Sequence, residues 1–534
     1  MHNYLLLSLG LIVLVSMLVI LGERLRISYP IFLVLAGLVI SYIPGIPSIT
    51  IDPEVIFLIF LPPLLFEAAF NTEWKSFWKW KRIIGTFAFG LVILTSGIVA
   101  LVSTAMIPGF TLSLGFLLGG IVSPPDAVAA TSILKRIKIP KTMVSVLEGE
   151  SLVNDASSLI VFQFALVAVL KGTFVLQDAI GKFFIVTFLG IAVGLGIAYI
   201  FYLILKWLPT QPQIDSALSL VVPYLMYIAA EEVHASGVMA VVSGGLFLSH
   251  RGHEIFSYGG RIQAHGLWST LGFVLNGVIF ILIGLELPVI VNGLGNYSKT
   301  EALTYGLIIT FVIIVVRIAG TMGSSLFTMF ISRFIRTNNP RPGWKGPLIV
   351  GWAGMRGVVS LASALSIPLL LDTGELFPQR NLILFITFVV IITTLILHGL
   401  TLPILIRWVN VNDTEHPNEA EREVQIHLHL LNTVQKTFES LISENNLIEN
   451  KLIFNLQGQI ANDIYRGEQQ LQALSNENQE KEKLDEYNVI LIALIDAQRR
   501  ELSILRREKK FDELVIRKQE TAIDLYEEKI KGRE

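Results

Sequence analysis

The residues best equipped for chemistry are Glu148, Glu150, Ser151, Asn154 and Asp155, which stand close together in an otherwise apolar run. Met143 to Leu147 precede them and Leu159 to Leu170 follow. A charge at bilayer depth costs about 2.5–3.5 kcal/mol on insertion scales, so such groups face a bundle interior or a water-filled cavity and mark ion or proton pathways. On a helix, Ser151 and Asp155 share a face, as do Glu150 and Asn154, and Glu148 falls on the face of Asp155. Buried polar contacts bracing helices are the purely structural alternative; the ion-pathway reading is preferred.

Two further stretches put polar groups where a plain span would have none. Gly119-Gly120-Ile121-Val122-Ser123-Pro124-Pro125-Asp126 interrupts an apolar segment near 111–135. Unwinding there would free carbonyls to coordinate a cation and leave half-helix ends aimed at it. A simple proline kink would not call for Asp126 at the same depth. The second interruption is Gly351-Trp352-Ala353-Gly354-Met355-Arg356-Gly357-Val358-Val359-Ser360. Arg317, flanked by long apolar stretches, is too deep to snorkel and needs an acid partner, Glu150 or Glu148. An ion pair bracing two helices is its main expected role. Pro62-Pro63 should bend or break a third segment that ends at Glu67. His398 and Glu286 read as satisfied core or boundary groups outside the site.

The elements that must position these residues are membrane spans. The chain has 534 residues, 53% hydrophobic and 16% charged, against about 25% charged in soluble domains, and its mean hydropathy is +0.63. Thirteen apolar segments follow one another up to about Trp408. They lie near 3–22, 28–44, 53–70, 83–106, 111–135, 141–170, 178–207, 214–231, 235–250, 264–291, 301–335, 346–371 and 380–408. The first carries no basic residue before Arg24, so it reads as a retained helix and not a signal peptide. Odd-numbered loops hold roughly 17 Lys and Arg, among them Arg24, Arg26, Lys135, Arg136, Lys138, Arg336 and Arg341, against about four in the even loops. That bias puts the N-terminus outside and the C-terminus in the cytoplasm. Trp74–Arg82, aromatic and basic, reads as an interfacial helix or loop on the inner face. The interrupted segments five and twelve hold the same place in each half of the chain. Paired broken helices in matching halves point to a transporter site between inverted repeats.

The expected fold is therefore an all-α polytopic membrane protein. It has about 13 transmembrane helices in inverted six-helix repeats, with a soluble helical tail. The domains are 1–410, transmembrane, and 411–534, cytoplasmic, where Glu421–Ile442 and Val489–Leu514 show helical periodicity and no phosphate loop or metal-ligand cluster is seen. A regulatory or dimer-contact role for the tail stands beside that of a solvated appendage. Net charge is −2 and there is no cysteine. Nothing suggests nucleic acid as a partner, and disulfides and thiolate metal sites are excluded.

On these residues the chain resembles the sodium/proton exchanger (NHE/NhaP-type) family of monovalent cation–proton antiporters, over residues 1 to about 410. The likeness rests on Phe60-Leu61-Pro62-Pro63-Leu64-Leu65-Phe66-Glu67, Glu150-Ser151-Leu152-Val153-Asn154-Asp155, Arg317 and Gly354-Met355-Arg356-Gly357. It implies a homodimer in the lipid bilayer, each protomer with a core domain moving against a dimerisation domain, in a bacterial inner membrane. It implies that Asp155, of the Asn154-Asp155 pair, binds the ion, that Ser151 is a coordinating hydroxyl, and that Glu150 pairs with Arg317. Where the family's crossing helix reads Thr-Asp-Pro, this chain has Pro125-Asp126-Ala127. Asp126 therefore belongs to the site or its approach, with direct ligation left open. Pro124, Pro125, Glu67 and Arg356 are expected at the broken helices and the pathway.

The mechanism expected is exchange of Na+ (or Li+, or K+) for H+ with no cofactor. Desolvation favours the protonated form of a carboxylate, so proton and cation compete for Asp155. The cation would be held by Asp155, Ser151, the Ser123 region and water. Asn154 in place of a second acid leaves one titrating group beside the neutralised Glu150–Arg317 pair, which favours electroneutral exchange. Potassium/proton exchange is the nearest alternative. An intramembrane hydrolase using Asp126 and Asp155 lacks its motifs and leaves the paired broken helices unexplained. A membrane sensor acting through the tail is the remaining alternative. Truncation near Asp413 separates the two surviving classes: an exchanger keeps measurable cation flux in vesicles, whereas a sensor loses its output.

Overall fold

Proline and glycine decide where the helices of this chain stop, and they do so unequally. The computed structural model describes residues 2–25, 28–43, 53–134, 137, 139–172, 176–208, 211–294, 297–334, 343–371, 374–410, 419–445, 451–475, 479–508 and 513–531. α1 (His2–Arg24), α2 (Tyr29–Ser41) and α3 (Pro53–Asn71) open the chain. α3 runs through Pro62 and Pro63 as one helix, so of the bend or break expected of the pair the break does not occur. Part of the reason is local. Pro63 cannot donate to the carbonyl of Ile59, and the Tyr224 hydroxyl donates to that oxygen instead, at 3.2 Å. α4 (Trp74–Gly85) covers the aromatic, basic stretch. It continues through a π-helical turn, Thr86–Leu91, into α5 (Val92–Met106).

The next segment does break, into α6 (Leu112–Val122) and α7 (Ala127–Leu134), with Ser123 to Asp126 unwound between them. α8 (Lys141–Lys171) carries the acidic motif and ends at Gly172, whose φ of +68° is the left-handed conformation that glycine adopts freely. α9 (Leu176–Trp207), α10 (Pro212–Glu232), α11 (Gly237–Ile255) and α12 (Tyr258–Leu285) follow, then the short α13 (Leu287–Asn292) and α14 (Lys299–Ile331). The second break separates α15 (Lys345–Trp352) from α16 (Val358–Leu365), before α17 (Arg380–Val409). Each apolar segment of the sequence thus coincides with a helix, a continuous helical run or a broken pair. Eight described helical runs are long and apolar enough to cross a membrane by length and composition. Of the loop cations on which the orientation rests, Arg26, Lys135, Arg136, Lys138, Arg336 and Arg341 lie outside the described residues.

Contacts divide the chain into two compact units, residues 1–413 and 414–534. In the second, α18 (Glu419–Asn445), α19 (Lys451–Ser475), α20 (Gln479–Glu508) and α21 (Glu513–Lys531) pack each on the next. Arg499 to Asp524 and Arg506 to Glu520, both at 2.6 Å, tie α20 to α21. Within the first unit the helices sort into two bundles. α1, α2, α3 and α9 to α12 pack among themselves, and α4 to α8 pack with α14 to α17. The bundles meet along a seam where α3 and α12 touch α16, α11 touches α8, and α2 touches α7 and α17.

In the first bundle α2 and α12 cross at backbone distance. A Cβ at Gly284 would strike the carbonyl oxygen of Val34, and one at Gly37 would strike that of Ile281. Overpacking of this kind costs about 1–3 kcal/mol or more. Gly284→Val is expected to lower the melting temperature of the solubilised protein by several degrees. Gly196→Val, at a position with open space around it, leaves it unchanged.

Candidate functional site

Two broken helices bring four helix ends into the interior, and each end carries unsatisfied backbone groups and a partial charge. The unwound turns meet directly, the amide of Asp126 donating to the carbonyl of Met355 at 2.7 Å. At the carbonyl end of α6, the Arg356 guanidinium donates to Val122 O at 2.9 Å and to Ser123 O at 3.2 Å. It also donates to Gly354 O. Arg356 is buried, and its own amide donates to Thr394 Oγ1 at 3.2 Å. Freed carbonyls at the first break were expected to be available to a cation; those of Val122 and Ser123 are taken by this guanidinium.

The carbonyl end of α15 is served by the second arginine. Arg317 donates to Val350 O at 3.4 Å, but its main partner is Glu150 on α8, through two parallel bonds of 2.7 and 3.0 Å. Both side chains are nearly inaccessible, at 3% and 1%. A bidentate, fully buried pair of this kind is expensive to break from one side. Glu148, two residues before Glu150, is half-buried. Close by, His398 is buried on α17, with its ring 5.1 Å from that of Trp352 and within electrostatic range of Arg317 and Arg356.

The amide ends of the other two half-helices converge on Asp126. Its Oδ1 accepts from Val128 N at 2.7 Å, which caps α7. Its Oδ2 lies against Gly357, the residue before α16, where any Cβ would collide with it. Glycine is required there by close approach. Ser151 on α8 accepts from Ala127 N at 3.1 Å and so ties α7 to the acidic helix. Asn154, fully buried, donates to Pro125 O at 3.4 Å. Pro124 and Pro125 are themselves buried in the unwound turn. Asp155 is half-buried one helical turn beyond Ser151, close enough to Asp126 for the two carboxylates to feel each other's charge. Behind it, Ser157 on the same helix donates to the carbonyls of Ala88 and Asn154, pinning the π-helical turn.

Buried side-chain oxygens around these turns without a hydrogen-bond partner among the described residues include Ser123 Oγ, Asp126 Oδ2 and Asn154 Oδ1, with Ser360 Oγ further along α16. No ion pair among the described residues involves Asp126 or Asp155. One arginine is committed to Glu150 and the other to backbone carbonyls. Oxygen donors with net negative charge and no resident cation suit a hard monovalent cation or a proton. Glu67 stands apart from this cluster, on α3 against Gly272 of α12, and accepts from Asn71 at 3.0 Å. Tyr29 on α2 lies within electrostatic range of both Glu67 and Asp126. Thr394 was missed in the sequence, and Gly357 was read only as part of the motif Gly354-Met355-Arg356-Gly357. A threonine in an apolar helix carries no signal of its own, and the demand on Gly357 exists only once Asp126 is placed against it.

Comparison with known proteins agrees with this architecture. Residues 10–408 match the model of the transmembrane sodium/hydrogen exchanger family. An uncharacterised Na+/H+ exchanger of Mycobacterium tuberculosis is 30% identical over 97% of this chain and 96% of its own. A sodium, potassium, lithium and rubidium/H+ antiporter of Bacillus subtilis is 32% identical over 71% of this chain and 58% of its own. Among solved structures, a sodium/proton antiporter of Methanocaldococcus jannaschii superimposes with a TM-score of 0.58 at 20% identity. It covers 74% of this chain and 99% of that one.

Removing one member of the Glu150–Arg317 pair leaves a buried charge unpaired, at a cost of about 3–5 kcal/mol. Glu150→Gln and Arg317→Met alone should each sharply reduce monodisperse protein in size-exclusion chromatography of solubilised membranes. The double variant should recover most of it.

Proposed function

Since the chain belongs to the sodium/hydrogen exchanger family, a family of multi-pass membrane antiporters that exchange monovalent cations for protons, we propose that Asp155 is the residue at which cation and proton compete. Secondary transport of this kind is not enzymatic and needs no cofactor. The observation that carries the assignment is the disposition of charge at the crossing. One buried arginine is paired with Glu150 and the other is held by backbone carbonyls, while Asp126 and Asp155 stand together with no ion-pair partner among the described residues. Occupancy by a cation or by a proton relieves the repulsion between them, and occupancy by both does not. That exclusion couples the two fluxes without any further device.

The cation is Na+ or Li+, held by Asp155, Ser151 and the unclaimed oxygens of Asn154, Ser123 and Asp126, with water completing the shell. K+ is the second candidate, because the Bacillus subtilis relative carries potassium in its name. Asp126 also receives the amide ends of α7 and α16, so its charge is already partly balanced and Asp155 is left as the exchanging group. With Glu150 and Arg317 neutralising each other, exchange of one proton per cation is electroneutral.

Access alternates as the bundle of α4–α8 and α14–α17 moves against the bundle of α1–α3 and α9–α12. The division of contacts supports this, since the crossing lies wholly within one bundle and faces the other across the seam. The protein works as a homodimer in a bacterial cell membrane, its N-terminus outside, and residues 411–534 form a cytoplasmic, regulatory tail.

Dye-reported ΔpH in inverted vesicles from an antiporter-deficient host tests the assignment. Na+ or Li+ should dissipate the gradient with the wild-type protein. With Asp155→Asn at equal abundance, the apparent rate should fall about tenfold or more, the equivalent of at least ~1.4 kcal/mol. Equal exchange by the variant would overturn Asp155 as the site. A current that reverses with the cation gradient would overturn electroneutrality.

A further inference from the structure

Among the buried carboxylates outside the crossing, Glu286 lies nearest to the seam's cavity. Glu286 ends α12 and is only 7% exposed, yet no described residue donates a hydrogen bond to its carboxylate or lies within salt-bridge distance. The cation that acts on it electrostatically is Arg380, at the start of α17. That guanidinium is engaged with the carbonyls that end α16, through Nε to Ile367 O at 2.8 Å and Nη2 to Leu365 O at 3.4 Å. A carboxylate withdrawn from water without a partner is costly, whereas an apolar side chain at the same place would not be.

Its position gives the cost a use. Glu286 lines a small cavity where α3, α12 and α16 meet, together with Phe60, Leu282, Leu361 and Leu365. Phe60, Leu282 and Glu286 belong to one bundle and the two leucines of α16 to the other, so the cavity lies in the seam itself. α16 begins beside Asp126, at Gly357, and Leu361 stands one helical turn on, a rise of about 6 Å. The cavity is therefore the next space along the seam from the crossing, toward the end where α12 and α16 finish. Apart from Glu286 its lining is apolar, the kind of constriction that closes a path by excluding water.

We propose that Glu286 is a second ion-handling carboxylate, a way station that passes the monovalent cation and the proton between the crossing and the solution at the α12/α16 end when the seam opens. The proposal rests on the exchanger reading given above. In the seam shown here, the cavity beside Glu286 is small and its surface is apolar. Sliding of α16 along α12 admits water to the cavity, and Glu286 then offers the first negative charge a cation meets on its way to Asp126 and Asp155.

Proteoliposomes with controlled ionic conditions on each face test this with wild type, Glu286→Gln and Glu286→Asp. In Glu286→Gln the apparent KM for Na+ presented on one face should rise about threefold or more, with little change on the other face, equivalent to ~0.7 kcal/mol. Glu286→Asp should restore it. The chain has no cysteine, so Glu286→Cys provides a unique thiol. It should react with a membrane-impermeant thiol reagent from that same face only. An unchanged KM, a change equal on both faces, or a thiol unreactive from both faces in transporting protein would overturn the way station. Absence of exchange in the wild type would instead overturn the exchanger reading, while thiol access would still report whether the cavity opens.

Discussion

Burying four helix ends at one point is the constraint on which this structure depends. Each end presents orphan amides or carbonyls and about half a unit of charge, and no water of the bulk phase is at hand to satisfy them. The chain closes the set with three side chains. Arg356 takes the carbonyl end of α6, Arg317 reaches that of α15, and Asp126 receives the amide ends of α7 and α16. Glu150 then balances Arg317. Of the two carboxylates at the crossing without an ion-pair partner among the described residues, Asp126 caps a helix end and Asp155 caps none. On the proposed assignment, Asp155 can therefore bind and release a cation without undoing the closure of the helix ends.

On the proposed alternating access, this frame of helix ends would travel as a body. Every residue in the closure belongs to the bundle of α4–α8 and α14–α17, so motion of this bundle breaks none of the bonds described. What it must break are the contacts of the seam. Those are largely apolar at the cavity between α3, α12 and α16, where sliding sacrifices no hydrogen bond. In the opposite bundle, α2 and α12 cross at backbone distance at Gly37 and Gly284.

Much of the helical order can be read from the sequence, because a bilayer imposes long apolar runs and the breaks are spelled out by Pro124-Pro125 and Gly354, whereas Gly119 and Gly120 lie within α6. Pro62-Pro63 shows the limit. The same residue type that breaks one helix leaves α3 intact, since the Tyr224 hydroxyl, more than 150 residues away in the chain, serves the orphaned carbonyl of Ile59. The acidic motif and the lone Arg317 stand out by their cost in an apolar setting. Arg356 stands out for the same reason, but its place among the backbone carbonyls of the broken helices is a matter of tertiary packing that its charge alone does not give. The choice of Glu150 over Glu148 as the partner of Arg317 turns on helix rotation, which spacing alone does not decide.

The central claim is that cation and proton exclude each other at Asp155, and calorimetric titration of the purified protein with Na+ tests it most directly. Repeating the titration in buffers of different ionisation enthalpy counts the protons released. At acidic pH each Na+ bound should release about one proton, and the apparent Kd should rise about tenfold for each unit of pH lowered. Asp155→Asn should neither bind nor release. Sodium binding that is independent of pH and releases no proton would contradict the account.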